Sequence, residues 1–268
     1  MRLGARVQAV GVLTGWGVGV AALPADARAA ATAHPVVRLT RPPLDGERFR
    51  RATRECLLGV AAVQQMLDDA GLDRAAIAGP RTALLFVTAG AYGASNVEFL
   101  AGRAGTLHFP YTAPSALSAE VAIEFGLTGA YVILIGGPTA TVDALWQGGR
   151  MVQDGRCDRA LVLAVETFDE CETLWRRARW TLPVPLVEAA ACALLLPGSA
   201  EAAPAGGHRD GALETAVQQR AGSTLACGPL IALALAREAG GGTTSVRGTW
   251  RGRQATIEMT TTGREARN

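Results

Sequence analysis

Four runs of this chain have no polar face: "TALLFVT" at 82–88, "YVILI" at 131–135, "ALVLAV" at 160–165 and "ACALLL" at 191–196. A strand that meets water on one side alternates apolar and polar residues, so runs of this kind are strands covered on both faces, and "YVILI" reads as a central one. Helical spacing fills the stretches between them. Phe49, Cys56, Val60, Val63 and Leu67 share one face of an amphipathic helix between Phe49 and Ala70, and Gly71 provides the left-handed residue that ends it. "GASNVEFLAG" and "PSALSAEVAIEF" make two shorter helices, the second with Pro114 near its start. From Pro138 onward Val142, Leu145, Trp146, Gly149 and Val152 form another helical stripe, which Gly155 stops. Thr167 and Glu170 make a capping box for "FDECETLWRRARW". Strands alternating with helices in this way form an α/β layered fold.

The two ends of the chain read differently from its middle. "MRLGARVQAVGVLTGWGVGVAALPADARAA" has the outline of a secretory signal, but Gly11, Gly15, Gly17 and Gly19 interrupt any helix there, so Val7 to Leu13 is expected as a buried strand followed by a glycine-rich turn. Beyond Pro197 the chain becomes small and polar. The expected organisation is a core over 1–197, a connector over 198–211, a shortened C-terminal segment over 212–260 packed on the same core, and a solvated tail over 261–268. The C-terminal segment holds one helix, "TLACGPLIALALAREAG", between short strand-like pieces that end in "QATIEM".

With 268 residues, 49% of them hydrophobic and 19% charged, the chain can bury a sizeable core. The net charge of +2 comes from mixed charges rather than a block, which argues against nucleic acid and acidic lipid as partners. Arg176, Arg177 and Arg179 are read as solvated surface. Cys56, Cys157, Cys171, Cys192 and Cys227 are widely spaced and make no CxxC pair, and His34, His108 and His208 form no HxH or HExxH pattern. Neither a metal nor a cofactor is expected. Reduced, buried thiols in a cytoplasmic protein fit the cysteines, and no run is long enough for a membrane span.

Three segments, in order, resemble the β-ketoacyl synthases of the thiolase-like fold. They are "VQAVGVLTGWGVGVAALP", "FPYTAPSALSAEVAIEFGLTGA" and "GGPTATVDALWQGGRMVQDGRCDRALVLAVET". The resemblance runs from about Val7 to Pro197 and implies an αβαβα layered fold with a complete N-terminal half and a shortened C-terminal half. In that family a cysteine at the strand-to-helix turn carries the acyl chain as a thioester. Here the turn reads Gly136-Gly137-Pro138, so the position falls on Gly137 or Pro138, neither of which can act as the nucleophile. Thr139 and Thr141 are nearby hydroxyls, read as caps. The family's two histidines also have no counterpart, since Gly222 or Ser223 stands where one belongs.

The resemblance therefore implies a chain length factor of a short, divergent type: a non-catalytic subunit that completes a dimer with a ketosynthase, meets an acyl carrier protein transiently and shapes the tunnel for the growing chain. The system implied is a type II polyketide synthase, highly reducing or aryl polyene-like. Its partner interface falls on Tyr131, Val132, Ile133, Leu134 and Ile135. Tyr92, Ser95 and Phe99, on one helical face, are the candidates for a tunnel gate or for ordinary packing. Two other readings stay open: an acyltransferase or ketosynthase-like enzyme using Thr139, Thr141 or Cys157, and a stand-alone module that binds an acyl chain or a carrier protein.

Overall fold

The computed structural model describes residues 2–32, 34, 36–44, 46–168, 177, 184–198 and 211–263. Its strands are β1 (Arg2–Thr14), β2 (Gly17–Val18), β3 (Val36–Val37), β4 (Thr82–Thr88), β5 (Tyr131–Ile135), β6 (Arg159–Glu166), β7 (Leu186–Val187), β8 (Ala189–Pro197), β9 (Gly242–Trp250) and β10 (Arg253–Thr261). The helices are α1 (Ala27–Ala30), α2 (Arg54–Ala70), α3 (Gly93–Leu100), α4 (Ser115–Phe125), α5 (Pro138–Gln153), α6 (Ala212–Ala221) and α7 (Gly228–Glu238). One sheet has the order β5-β4-β6-β8-β1-β10-β9, with β2 hairpinned on β1, and β3 pairs β7 apart from it. β4 runs parallel to both β5 and β6, whereas β8 is antiparallel to β6 and to β1.

The strands without a polar face explain the layers. Along β4, Leu84 and Phe86 point into a core made with α2 and α4, while Leu85 and Val87 point into a second core made with α5, α7 and the β9–β10 hairpin. β6 divides in the same way, Leu161 and Leu163 to one side and Val162 and Ala164 to the other. Each fully buried Leu or Val adds about 1.5–3 kcal/mol, so both helical layers are needed to satisfy one strand. The mixed sheet between helical layers is the α/β architecture expected of a thiolase-like chain.

The N-terminal run is strand β1, and its glycine has a packing reason. A Cβ on Gly11 would lie 2.3 Å from the Met66 backbone nitrogen and 2.5 Å from the Ala62 carbonyl, so α2 rests directly on the strand there. Helix α2 starts later than its apolar spacing suggests. Thr53 caps it, its side chain accepting from the Cys56 N–H, and Phe49 falls in a separate 3-10 turn over Glu47–Arg50. Gly71 ends the helix at φ 65°, ψ 31°, as expected.

Three expectations need correction. "YVILI" is the edge of the described sheet rather than a central strand, because the chain supplies no strand beyond it among the described residues. The segment after residue 211 has two helices, α6 and α7, and a long hairpin of two nine-residue strands instead of one helix between short pieces. β10 also runs to Thr261, and the Thr262 N–H donates to the Val7 carbonyl, so the first residues of the expected tail belong to the sheet. Thr167 is described and buried, its hydroxyl donating to the Glu55 carboxyl at 3.4 Å, whereas Glu170, most of the helix expected after it and His208 lie outside the described residues.

Candidate functional site

The turn between β5 and α5 is where the sequence reading puts the position of the family's nucleophile, at Gly137 or Pro138. The Gly136 N–H donates to the Thr88 carbonyl at 2.9 Å, which ties the turn to the end of β4. Gly137 caps α5 with no side-chain hydrogen bond, and Pro138 opens the helix at a position that needs no N–H. A Cβ on Gly137 would stand 2.4 and 2.5 Å from Cδ2 and Cε3 of the Trp250 indole. Real side chains do not approach that closely, so the ring at the end of β9 occupies the space a side chain at this turn would use. The hairpin backbone presses on the same helix end, since a Cβ on Gly248 would meet the Pro138 carbonyl oxygen at 2.4 Å.

Other candidate nucleophiles are held in structural roles. The Thr141 hydroxyl is buried and donates to the Ala226 carbonyl at 2.6 Å. Cys157 is buried before β6, at the far end of α5, and burial pushes its thiol pKa upward. Cys227 directly precedes α7, a place where a helix dipole could favour a thiolate. It is fully buried, donates weakly to the Ala189 carbonyl at 3.4 Å, and is pushed well above its ordinary pKa by burial and by Glu166. Cys56 rises to about 12 and Cys192 rises as well, both mainly through burial. These thiols stay protonated at neutral pH.

Sequence reasoning missed Glu166, the last residue of β6. Its carboxyl is fully buried and accepts from the N–H groups of Ala89 at 2.7 Å, Gly90 at 3.3 Å and Ala226 at 3.2 Å, and from the Thr88 hydroxyl at 3.3 Å. Burial raises its pKa to about 8, against the opposing pull of those donors. One side chain thus joins the loop after β4 to the turn before α7. A second buried carboxylate, Glu188, is gripped by both Nη atoms of Arg54 at 2.7 and 2.8 Å and by the N–H groups of Leu39 and Phe168, each at 2.9 Å. Burial alone would raise its pKa, but the guanidinium and backbone donors outweigh it and hold the group below its ordinary value.

Of the three gate candidates, two meet at one place. Tyr92 and Ser95 line a pocket of about 10 Å³ together with Cys56, Thr88 and Tyr111, room for roughly one water. Phe99 lies outside that lining and packs against Phe109, with ring centroids 5.4 Å apart. Tyr92 also stands at the cap of α3 rather than within it.

The five interface candidates form β5. Tyr131 is 62% and Ile135 53% exposed, while Val132, Ile133 and Leu134 are half-buried. The Leu84 N–H donates to the Ala130 carbonyl, as the Gly136 N–H does to Thr88, so even-numbered residues turn their backbone groups toward β4. Tyr131, Ile133 and Ile135 turn theirs outward. Among the described residues no group of three or more His, Cys, Asp or Glu could hold a metal ion, and no helix is long and apolar enough to cross a membrane.

Comparison with known proteins adds the following. The family model for β-ketoacyl synthase, N-terminal domain, matches residues 20–180. No curated protein sequence matches the chain. A solved structure described as the ishigamide ketosynthase/chain length factor aligns with a TM-score of 0.66 at 17% identity, over 95% of this chain and 98% of that one. A β-ketoacyl synthase from Burkholderia phymatum STM815 aligns at 0.57 with 14% identity, over 82% and 70%. A type II PKS acyl-carrier protein in complex with its ketosynthase bound to the hexaketide aligns at 0.55 with 17% identity, over 74% and 63%.

Proposed function

Because the chain belongs to the β-ketoacyl synthase N-terminal domain family, we propose that it is a chain length factor, a non-catalytic subunit that pairs with a ketosynthase in a type II polyketide synthase of the highly reducing or aryl polyene-like kind. The observation that carries this reading is the turn at Gly137-Pro138, where the Trp250 ring fills the space of the side chain that would hold an acyl thioester. A synthase needs a thiolate at that turn, raised in reactivity by the helix end, and this chain has a glycine and a proline there, neither of them a nucleophile. The edge strand supports the pairing. An apolar edge whose N–H and C=O groups face outward invites another strand, and "YVILI" has no lysine, proline or glycine to discourage one. In this reading Tyr131 to Ile135 form the partner interface, and Tyr92, Ser95 and Phe99 border the chain tunnel. An acyl carrier protein is the transient third component.

Co-expression with a cysteine-bearing ketosynthase tests the proposal. A stable heteromer is expected, with condensation only in its presence and no acyl adduct on this subunit by intact-mass spectrometry after exposure to acyl thioesters. An acyl group found on any of its side chains sinks the reading.

A further inference from the structure

A cavity of about 260 Å³ opens on the hairpin side of the turn, bounded by the starts of α5 and α7, one face of α6 and the end of β9. Its size is near the lower end of small-molecule sites, about 300–1,000 Å³. Its lining contains no cysteine, histidine or lysine, so the hydroxyls of Ser223, Thr224 and Thr249 have no base on the lining but the Glu214 carboxylate. The polar groups are nevertheless arranged for one kind of ligand. α5 and α7, 16 and 11 residues long, direct their N-terminal ends at this cavity through Pro138 and Gly228, and neither helix has a side-chain cap. Both ends carry positive partial charge; Pro138 has no N–H and the Gly228 N–H donates to the Leu225 carbonyl, so the attraction comes from the helix dipoles and not from free donors at these two residues. Arg247 stands on the same lining and has no carboxylate partner among the described residues; the Gln254 side-chain oxygen, in the amide orientation that satisfies both groups, meets its Nε at 2.9 Å and Nη1 at 3.2 Å.

Thr224 gives an independent sign of a ligand. It lines the cavity and is only 2% exposed, yet its hydroxyl has no hydrogen-bond partner. The hydroxyl lies 3.7 Å from the point where a Cβ on Gly228 would stand, and that point meets otherwise only Val217 Cγ1, at 4.0 Å. A buried donor without a partner is costly, and an anionic oxygen seated over Gly228 would satisfy it. The remaining wall is apolar, formed by Val217, Pro229, Ala232 and the Trp250 ring. Glu214, one helical turn before Val217 on α6, places a negative charge at that wall. A second charge on the ligand would be repelled there.

We infer that this cavity binds a small organic monocarboxylate with a short aliphatic or aryl body, its carboxylate over Gly228 between the two helix ends and Arg247, its body against Trp250. Such a site makes the turn before α5 a place for an effector. The readout is binding, so it stands or falls independently of the chain-length reading.

Isothermal titration and saturation-transfer NMR on the full chain, alone and with its partner subunit, test it with benzoate, hexanoate, succinate and inorganic phosphate. Benzoate or hexanoate is expected to bind saturably, with succinate and phosphate at least about tenfold weaker. Arg247→Met should weaken the monocarboxylate by about tenfold or more, and Gly228→Leu should abolish binding by filling the floor, at a helical φ of −51° that accepts any L residue. Thr224→Val keeps the volume and removes the unpartnered hydroxyl, so it should fold at least as well and bind severalfold more weakly, which keeps the test open if the leucine variant misfolds. No saturable binding of either monocarboxylate up to about 10 mM, equal binding of succinate or phosphate, or indifference to all folded variants overturns the inference.

Discussion

The sheet ends in two edge strands that follow opposite rules. β9, "GTTSVRGTW", alternates: Thr244, Val246 and Gly248 are buried under the hairpin while Ser245 and Arg247 stay half-exposed, and threonine, arginine and glycine along the strand discourage further pairing. β5, "YVILI", has five apolar or aromatic residues, outward-facing backbone groups and two side chains more than half exposed. The first edge is finished within the chain, folded against α5 and closing the turn with Trp250. The second has no further strand on it among the described residues. The C-terminal hairpin thus covers the turn at Gly137, while β5 keeps an open apolar edge among the described residues.

The largest test of that contrast concerns the group that couples the two sides. Glu166 joins the loop after β4, next to the open edge, to the turn before α7 on the closed one. Its carboxyl titrates near 4.5 when unfolded and near 8 when folded, so the folded state prefers the proton. Its contribution is fully present below pH 4.5 and is lost as pH rises through 8, up to about 5 kcal/mol at about 1.4 kcal/mol per unit. Denaturant melts should show stability falling across pH 5–8, and Glu166→Gln should flatten that slope. A wild-type curve flat over this range means the carboxylate is ionised in place and the two sides are coupled by charge instead.

Next in size comes the open edge itself. Tyr131→Lys combined with Ile135→Lys puts charges on the two exposed positions of β5, where the isolated chain tolerates them and an apolar interface does not. Association with a ketosynthase should weaken at least a hundredfold, about 3 kcal/mol, with an unchanged circular dichroism spectrum. The same charges at Ser245 and Thr249 of β9 should leave association alone. Equal effects from both edges would erase the distinction.

The closed side is probed by restoring a thiol. Gly137→Cys alone drives a Cβ into the indole and should cost about 1–3 kcal/mol in thermal or denaturant melts. Adding Trp250→Ala removes the obstacle, so the double variant should be more stable than the sum of the singles predicts, a coupling on the order of 1 kcal/mol. Strictly additive losses would show that the ring does not close the turn.

What could be read in the sequence follows from how local each cause is. The doubly buried strands β4, β6 and β8, the strand over Val7 to Leu13, the stop at Gly71 and the α5 stripe except Trp146, which is 41% exposed, depend on neighbours in sequence and have their expected places. "YVILI", expected to be covered on both faces, is instead exposed at Tyr131 and Ile135. Whether "YVILI" is an edge or a centre depends on strand order, which composition does not encode. α6 was invisible because only Leu213, Val217 and Ala221 mark its face among polar residues. Glu166 sits at the end of an apolar strand with nothing local to mark it; its three backbone donors come from loops distant in sequence. Gly137 could be read as a turn without a nucleophile, but the ring that fills it comes from the other end of the chain.

The smallest effect separates a gate from packing on the open side. Tyr92 lines the small pocket of about 10 Å³ beside α3, and its side chain is half-buried. Tyr92→Ala should cost about 1 kcal/mol of stability whichever role it has, because the lost contacts are the same. The roles part in the product. If the pocket continues into the tunnel of the assembled pair, the alanine variant complexed with its ketosynthase should shift the products toward longer chains by mass spectrometry, while Phe99→Ala, outside the pocket, should only lower the melting temperature. Unchanged product length in both variants assigns Tyr92 to packing and moves the limit on chain length to residues that the partner subunit brings to β5.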